Sequence, residues 1–183
     1  MKALLACLVM LAASAAASAL EIREGDIVLY RHALAPGGGD PPGFKLGDCS
    51  TQRNLSEAGR EQARRIGQAL RAQLGAVKVG AVWSSPWCRT LETARLAFPG
   101  AAVQPEAAFA SFFDQPDREA AALAAAREQL AAWRGPGVLV VVTHQVNITG
   151  LSGIFPSSGE GVVLRGAQGS LAVQGRLAPP PVP

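Results

Sequence analysis

Two short apolar segments that each end in a histidine constrain the fold most strongly. Residues 27–30 are apolar and run into Arg31 and His32, and residues 138–143 run into His144. Short runs of aliphatic and β-branched residues bounded by turn residues are typical of buried strands. The chain has 183 residues and only two histidines, and each of them directly follows a predicted strand. If the two strands lie parallel in one sheet, both imidazoles emerge at its carboxyl edge, where open α/β sheets bind ligands.

Helical and strand patterns alternate along the rest of the chain, which has the length of one domain. A helix is predicted from the N-cap Ser56 to residue 75, a strand at 77–83, and an alanine-rich helix at 117–133. Further predicted elements are a short edge strand at 102–104, a short helix at 145–151, and two final strands at 161–164 and 170–173. This alternation predicts a mainly parallel central sheet covered on both faces, which is a three-layer α/β/α sandwich.

The segment after the second predicted strand is suited to anion binding. Ser85 predicts an N-cap and Pro86 the first position of a helix, where the missing N–H of proline costs nothing. The N-terminus of a helix offers free backbone N–H groups and the positive end of a dipole, and Arg89 lies in the first turns. Together with Arg31, this segment brings cations toward a phosphate-sized ligand.

The N-terminal residues have the layout of a secretory signal peptide. Lys2 precedes an apolar stretch at 3–13, and Ala17-Ser18-Ala19 forms an A-x-A cleavage site. We therefore predict a signal peptide at 1–19 and a periplasmic or secreted protein; the apolar stretch is too short to span a membrane. The alternative is a lipoprotein modified at Cys7. The domain is predicted to occupy residues 20–177, followed by a proline-rich, extended or disordered tail at 178–183.

Removal of a signal peptide would leave two cysteines, Cys49 and Cys88, in an oxidising compartment, which favours a disulfide. The competing interpretation is a zinc site of two histidines and two cysteines, but it lacks the close ligand spacing usual for zinc.

The net charge of +3 comes without a run of Lys or Arg, so the sequence gives no indication of nucleic-acid binding. The sequence does not indicate an oligomeric state.

Four motifs together resemble the histidine phosphatase superfamily, whose fold is phosphoglycerate-mutase-like. They are Tyr30-Arg31-His32-Ala33, Asn54-Leu55-Ser56 followed by Gly59 and Gln62-Ala63, Ser84-Ser85-Pro86 followed by Arg89 and Thr93-Ala94, and Val142-Thr143-His144. The resemblance covers residues 26 to about 151. It implies a three-layer α/β/α fold, His32 as the phosphorylated nucleophile, Arg31, Arg89 and His144 as the rest of a phosphate pocket, and no metal or other cofactor.

The general acid is the main departure from the family pattern. Many members carry a glutamate shortly after the third strand, and Ser111 stands in the corresponding position here. Asp114 is the preferred substitute, and Glu106 is the alternative. Some branches of the superfamily function without this acid, so its absence does not exclude activity.

Other positions near the motifs are weaker candidates. The family usually has Gly where this chain has Ala33, and Asn or Gly where it has Gln145. Asn54 and Gln145 are expected to add hydrogen bonds to the phosphate or the substrate. Arg53 and Asn147 are expected to make hydrogen bonds within loops or caps instead.

These residues favour a phosphatase that acts through a phosphohistidine on a small phosphate ester. A neutral imidazole attacks phosphorus in line, and arginine forks neutralise the developing charge. The alternative is a non-catalytic module of the same fold that binds inorganic phosphate or a phosphosugar. A serine hydrolase is disfavoured because no G-x-S-x-G motif is present, and a glycolytic mutase is disfavoured outside the cytoplasm. The substrate cannot be named from the sequence.

Overall fold

A computed structural model describes residues 20–167 and 170–182. The predicted signal peptide and Cys7 therefore lie outside the described residues. The strands are β1 Ile27–Arg31, β2 Val79–Ser84, β3 Val103–Pro105, β4 Val138–Thr143, β5 Gly161–Ala167 and β6 Ser170–Leu177. The α-helices are α1 Glu57–Leu74, α2 Cys88–Ala97, α3 Glu119–Ala131 and α4 Gln145–Ser152. None of the helices in the described ranges is long and apolar enough to cross a membrane.

The six strands form one sheet in the order β3-β2-β4-β1-β5-β6. The pairs β2–β3, β2–β4 and β1–β4 are parallel, while β5 and β6 form an antiparallel hairpin at one edge. The mainly parallel sheet, the edge strand β3 and the final hairpin are as predicted. Both strands of the hairpin are longer than predicted, because the ladder continues through charged positions: Arg165 of β5 and Arg176 of β6 both take part in it.

The sheet separates two hydrophobic cores, so the three-layer prediction is confirmed. On one face, Ile66 and Leu70 of α1 pack with Ala94 of α2. On the other face, Leu130 of α3 packs with Ile148 of α4. Helix α1 follows its prediction closely: Ser56 is the N-cap and its Oγ accepts a hydrogen bond from the Gly59 N–H at 3.0 Å.

The prediction for the start of α2 is wrong. The helix begins at Cys88, and its N-cap is Trp87 rather than Ser85. Ser85 Oγ lies 2.7 Å from His144 Nε2 and so is engaged by the residue that follows β4. The first N–H of the helix, that of Cys88, donates to Gln52 Oε1 at 3.0 Å. A long-range side chain therefore replaces the local cap that the sequence indicated.

The bounds of one further helix also differ from the prediction. The alanine-rich helix is shorter than 117–133, because residues 116–118 form a 3₁₀ turn and α3 ends at Ala131. The tail has no regular secondary structure over 178–182, and it contacts α1: Gln62 Nε2 donates to Pro180 O at 3.1 Å and Arg65 Nη1 to Pro181 O at 3.3 Å.

A disulfide joins Cys49 to Cys88, as predicted. It connects the long loop after β1 to the first residue of α2, directly before Arg89. Because both sulfurs are bonded to each other, neither can be a thiolate ligand, and the zinc interpretation is wrong.

We expect reduction of this disulfide to destabilise the protein by about 4 kcal/mol, because the bridge closes a loop with a sequence separation of 39. Urea unfolding with and without a reductant measures the difference. The double variant Cys49→Ser/Cys88→Ser serves as the control and should be insensitive to the reductant. Equal midpoints for the oxidised and reduced wild-type protein would contradict this expectation.

Candidate active site

A pocket of about 250 Å³ lies at the carboxyl edge of the sheet. Strands β1 and β4 are parallel neighbours, with Arg31 paired to Thr143, so the residues that follow them emerge side by side. The backbone N–H of His32 donates to Thr143 O at 3.0 Å. The pocket brings together six of the predicted site residues: Arg31, His32, Arg89, Asp114, His144 and Gln145.

His32 is buried and presents one unprotonated ring nitrogen. Its Nδ1 lies 2.8 Å from the carbonyl oxygen of Ala33. Because a carbonyl can only accept, Nδ1 carries the proton and Nε2 keeps its lone pair. Burial lowers the pKa of His32 to about 3, and the nearby cations Arg89, Arg53 and Arg31 add to this effect. The imidazole is therefore neutral and nucleophilic at physiological pH.

His144 faces His32, with 5.7 Å between the two ring centroids. Its Nδ1 is 3.4 Å from Arg89 Nη2, and its Nε2 is 2.7 Å from Ser85 Oγ. A guanidinium can only donate, so His144 carries its proton on Nε2 and donates it to Ser85. Burial, followed by the charge of Arg89, holds the pKa of His144 well below its ordinary value.

Three guanidiniums line the pocket. Arg31 Nη1 donates to Pro156 O at 2.9 Å, and Arg53 Nε donates to Gly39 O at 2.8 Å. Burial lowers the pKa of each guanidinium, and the charge of Arg89 adds to this for Arg31 and Arg53. The Nε atoms of Arg31 and Arg89 are buried and make no hydrogen bond within the described part of the chain. The pocket is therefore rich in positive charge and in donors, which suits a small multivalent anion.

Asp40 fixes the position of Arg89. Its carboxylate accepts from Arg89 Nη1 at 2.8 and 3.1 Å, from the Arg53 backbone N–H at 3.0 Å, and from Trp87 Nε1 at 3.0 Å. Burial alone would raise the pKa of Asp40, but the hydrogen bonds from Arg89 and Arg53 outweigh it and lower the pKa. One Nη of Arg89 is thus held by Asp40, while the other faces His144.

Of the remaining candidate residues, some line the pocket and one does not. Asp114 and Ser111 line the pocket, as does Gln145, whose Nε2 donates to Thr149 Oγ1 at 2.9 Å. Asn54 is not brought to the pocket; its Nδ2 donates to Cys49 O at 2.7 Å and to Gln52 O at 3.1 Å. That local bonding within the loop replaces the substrate contact that we expected.

The sequence interpretation missed two members of the site. The sequence patterns give Asp40 no role, and they predict only loop or cap bonding for Arg53. Arg53 does bond the loop, through Gly39 and Ala35, but it also forms part of the pocket wall. The sequence feature that could have pointed to Arg53 is its position: it directly precedes Asn54 of the second motif, at the end of the long loop after β1. Long loops in compact domains are usually functional. No group of three or more potential metal ligands is found within residues 20–167 and 170–182.

We expect acidification to destabilise the protein between about pH 6.5 and 4.5, above the ordinary range of carboxyl groups. His32 has a folded pKa of about 3 against an ordinary 6.5, so the unfolded state takes up the proton first. The stability present above pH 6.5 is therefore lost as the pH falls, at up to about 1.4 kcal/mol per pH unit for each such histidine. Urea unfolding at several pH values tests this. A His32→Gln variant should show a shallower slope, and a flat profile in the wild type would contradict the prediction.

Comparisons with known proteins agree with this geometry. The family described as "Histidine phosphatase superfamily (branch 1)" matches residues 27–134, more than half of the chain. No curated protein matches the chain significantly.

Several solved structures share the fold over most of their length. The protein histidine phosphatase SixA complexed with tungstate is 16% identical and aligns over 84% of this chain and 97% of its own, with a TM-score of 0.55. A SixA protein from Nakamurella multipartitia is 22% identical, over 88% and 99%, with a TM-score of 0.57. Phosphoserine phosphatase from Entamoeba histolytica, in complex with 3-phosphoglyceric acid, is 15% identical, over 84% and 96%, with a TM-score of 0.54. By family match and by fold, this chain belongs to the histidine phosphatase superfamily.

Proposed function

We propose that the protein is a phosphatase that hydrolyses phosphomonoesters through a phosphohistidine on His32. The observation that carries the proposal is the meeting of two neutral imidazoles and three guanidiniums at one pocket of about 250 Å³. The family assignment supports the reaction type, and similar folds include enzymes named as histidine and phosphoserine phosphatases.

In the first step, His32 Nε2 attacks phosphorus. An N–P bond forms while the P–O bond to the alcohol breaks, and the bonding electrons leave with the alcohol oxygen. The guanidiniums of Arg31, Arg53 and Arg89 offset the charge that develops on the equatorial oxygens. Because Ala33 O holds the Nδ1 proton, the ring is already oriented and in the reactive tautomer before substrate binds.

The departing alkoxide needs a proton, and we assign its delivery to Asp114. This carboxyl group lines the pocket, and a carboxyl group placed beside the reacting atoms can act as a general acid and then as a general base. In the second step a water molecule attacks phosphorus, the N–P bond breaks, and inorganic phosphate leaves. Asp114, now a carboxylate, takes the proton of the attacking water.

The test is a hydrolysis assay with 4-nitrophenyl phosphate and phenyl phosphate in the presence of a chelator, combined with rapid acid-free quenching. Hydrolysis with a transient phosphoryl group on His32, identified by mass spectrometry, is the expected result. Tight binding of inorganic phosphate without hydrolysis of either ester would instead indicate the non-catalytic binding module.

We further propose that the protein is exported. The support is the sequence layout at 1–19 and the disulfide, which persists in oxidising compartments. N-terminal sequencing of the protein recovered outside the cytoplasm should begin at Leu20. An intact Met1 would contradict export, and a lipid on Cys7 would contradict cleavage after Ala19.

A further inference from the structure

A second cavity adjoins the phosphate pocket. It has a volume of about 570 Å³, and Asp40, Ser111 and Asp114 line both cavities. We call this second cavity the side groove. Its other walls include Phe44, Leu46, Trp87 and Phe112, together with Ala122 and Ala125 of α3. A ligand whose phosphate lies between the two histidines can therefore extend past Asp114 into the side groove.

The walls of the side groove are mainly apolar. The Trp87 ring packs against Phe44, with 5.8 Å between the ring centroids, and its only polar atom already donates to Asp40. Alanines of α3 also line the groove, and they keep the space open because they carry a single methyl group. Asp40 is neutralised by Arg89, and the guanidinium of Arg118 donates to Gln115 Oε1 at 2.9 Å. Of the residues that line the groove only Asp40, Asp114 and Arg118 are charged, so a charged alcohol moiety would lose water against a mostly apolar wall.

Most of the exposed large apolar side chains in the described part of the chain border the phosphate pocket or the side groove. Five large apolar side chains are exposed among the described residues, and three of them border the two cavities: Leu46 at 51%, Phe113 at 58% and Phe155 at 68% exposure. Contiguous exposed apolar surface on a soluble protein often marks a ligand-binding groove or an interaction site. The groove volume also falls within the range of about 300–1,000 Å³ that is typical of sites for drug-sized organic molecules.

We propose that the side groove binds the alcohol part of the substrate, and that the substrates are phosphomonoesters of large, uncharged, apolar alcohols. This inference rests on the proposed function. A small polar ester such as a phosphorylated amino acid fills the phosphate pocket but leaves the side groove empty. An aromatic or long aliphatic alcohol buries apolar surface against Trp87, Phe44 and the α3 alanines.

The experiment compares kcat/KM for phenyl, 4-methylphenyl, 4-butylphenyl and 4-hexylphenyl phosphate. The alkyl groups change the basicity of the phenol little, so differences report on binding of the alkyl chain. Each fully buried methylene is worth up to about fourfold, and we expect 4-hexylphenyl phosphate to exceed phenyl phosphate by at least about tenfold. A flat series from an active enzyme overturns the inference and leaves the proposed function intact.

A matched pair of variants on one helix locates the effect. Ala122→Trp fills the side groove and should reduce the ratio of kcat/KM for the hexyl ester to that for the phenyl ester to about one. Ala124→Trp places the same side chain at an exposed position of α3 that does not line the groove, and should leave the ratio unchanged. Equal effects of the two variants overturn the inference.

If no ester is hydrolysed, the proposed function fails, and the groove is then tested by binding alone. Calorimetry with 4-hexylphenylphosphonate and phenylphosphonate should still show at least about tenfold tighter binding of the hexyl compound, with the preference lost in Ala122→Trp. Equal affinities for the two phosphonates overturn the inference.

Discussion

A His32→Ala variant is expected to lose phosphomonoester hydrolysis by at least about four orders of magnitude while remaining folded. Removal of a nucleophile leaves only the binding and electrostatic contributions of the pocket. The imidazole makes one hydrogen bond, to Ala33 O, so its loss should change stability only modestly. Steady-state kinetics with 4-nitrophenyl phosphate and circular dichroism provide the two measurements.

A His32→Asn variant is the matched control for shape. Its amide N–H can still donate to Ala33 O, but it offers no nucleophilic nitrogen. It should bind inorganic phosphate and form no phosphoenzyme. If either variant retained more than about one per cent of the wild-type rate, His32 could not be the group that is phosphorylated.

The second large effect concerns the ion pair of Arg89 with Asp40, whose side chains are only 3% and 4% exposed. Arg89→Met removes a guanidinium from the pocket and should lower kcat/KM by about 10²–10³-fold. It also leaves the Asp40 carboxylate buried without its cation, and we expect a loss of about 3–5 kcal/mol in the free energy of unfolding. Kinetics and urea unfolding are measured on the same samples.

The double variant Asp40→Asn/Arg89→Met separates the two consequences. Removal of the buried charge should restore much of the lost stability, because no carboxylate is then left unpaired, while the activity should stay low. Arg95→Met, at an exposed position of the same helix, should change stability by no more than about 0.5 kcal/mol. A double variant that recovered activity along with stability would show that Arg89 acts only as a structural residue.

The parts of the fold that are predictable from the sequence are those with a strong local signal. The fully buried strand β4 and the amphipathic helix α1 follow directly from apolar periodicity and from the N-cap Ser56. Since β1 and β4 are both apolar and a histidine directly follows each of them, a parallel arrangement was enough to predict that His32 and His144 meet.

The missed features all depend on contacts between distant parts of the chain. Ser85 has the local sequence of an N-cap, but His144 engages its hydroxyl, and a bond to a buried imidazole outweighs a cap. Asp40 lies in an irregular loop, and its pairing with Arg89 spans 49 residues. No periodicity encodes such a pairing, so the motifs could identify the cations Arg31 and Arg89 but not the carboxylate that orients Arg89.

The placement of the two imidazoles directly after adjacent parallel strands has a consequence for how such a protein can diversify. Neighbouring strands lie about 4.8 Å apart because backbone hydrogen bonding requires it, so the distance between the reacting groups is inherited from the ladder itself. The loops around Phe44 and Phe113 contribute nothing to that distance. Substitutions in these loops can therefore change the surfaces that select a substrate without changing the spacing of the two imidazoles.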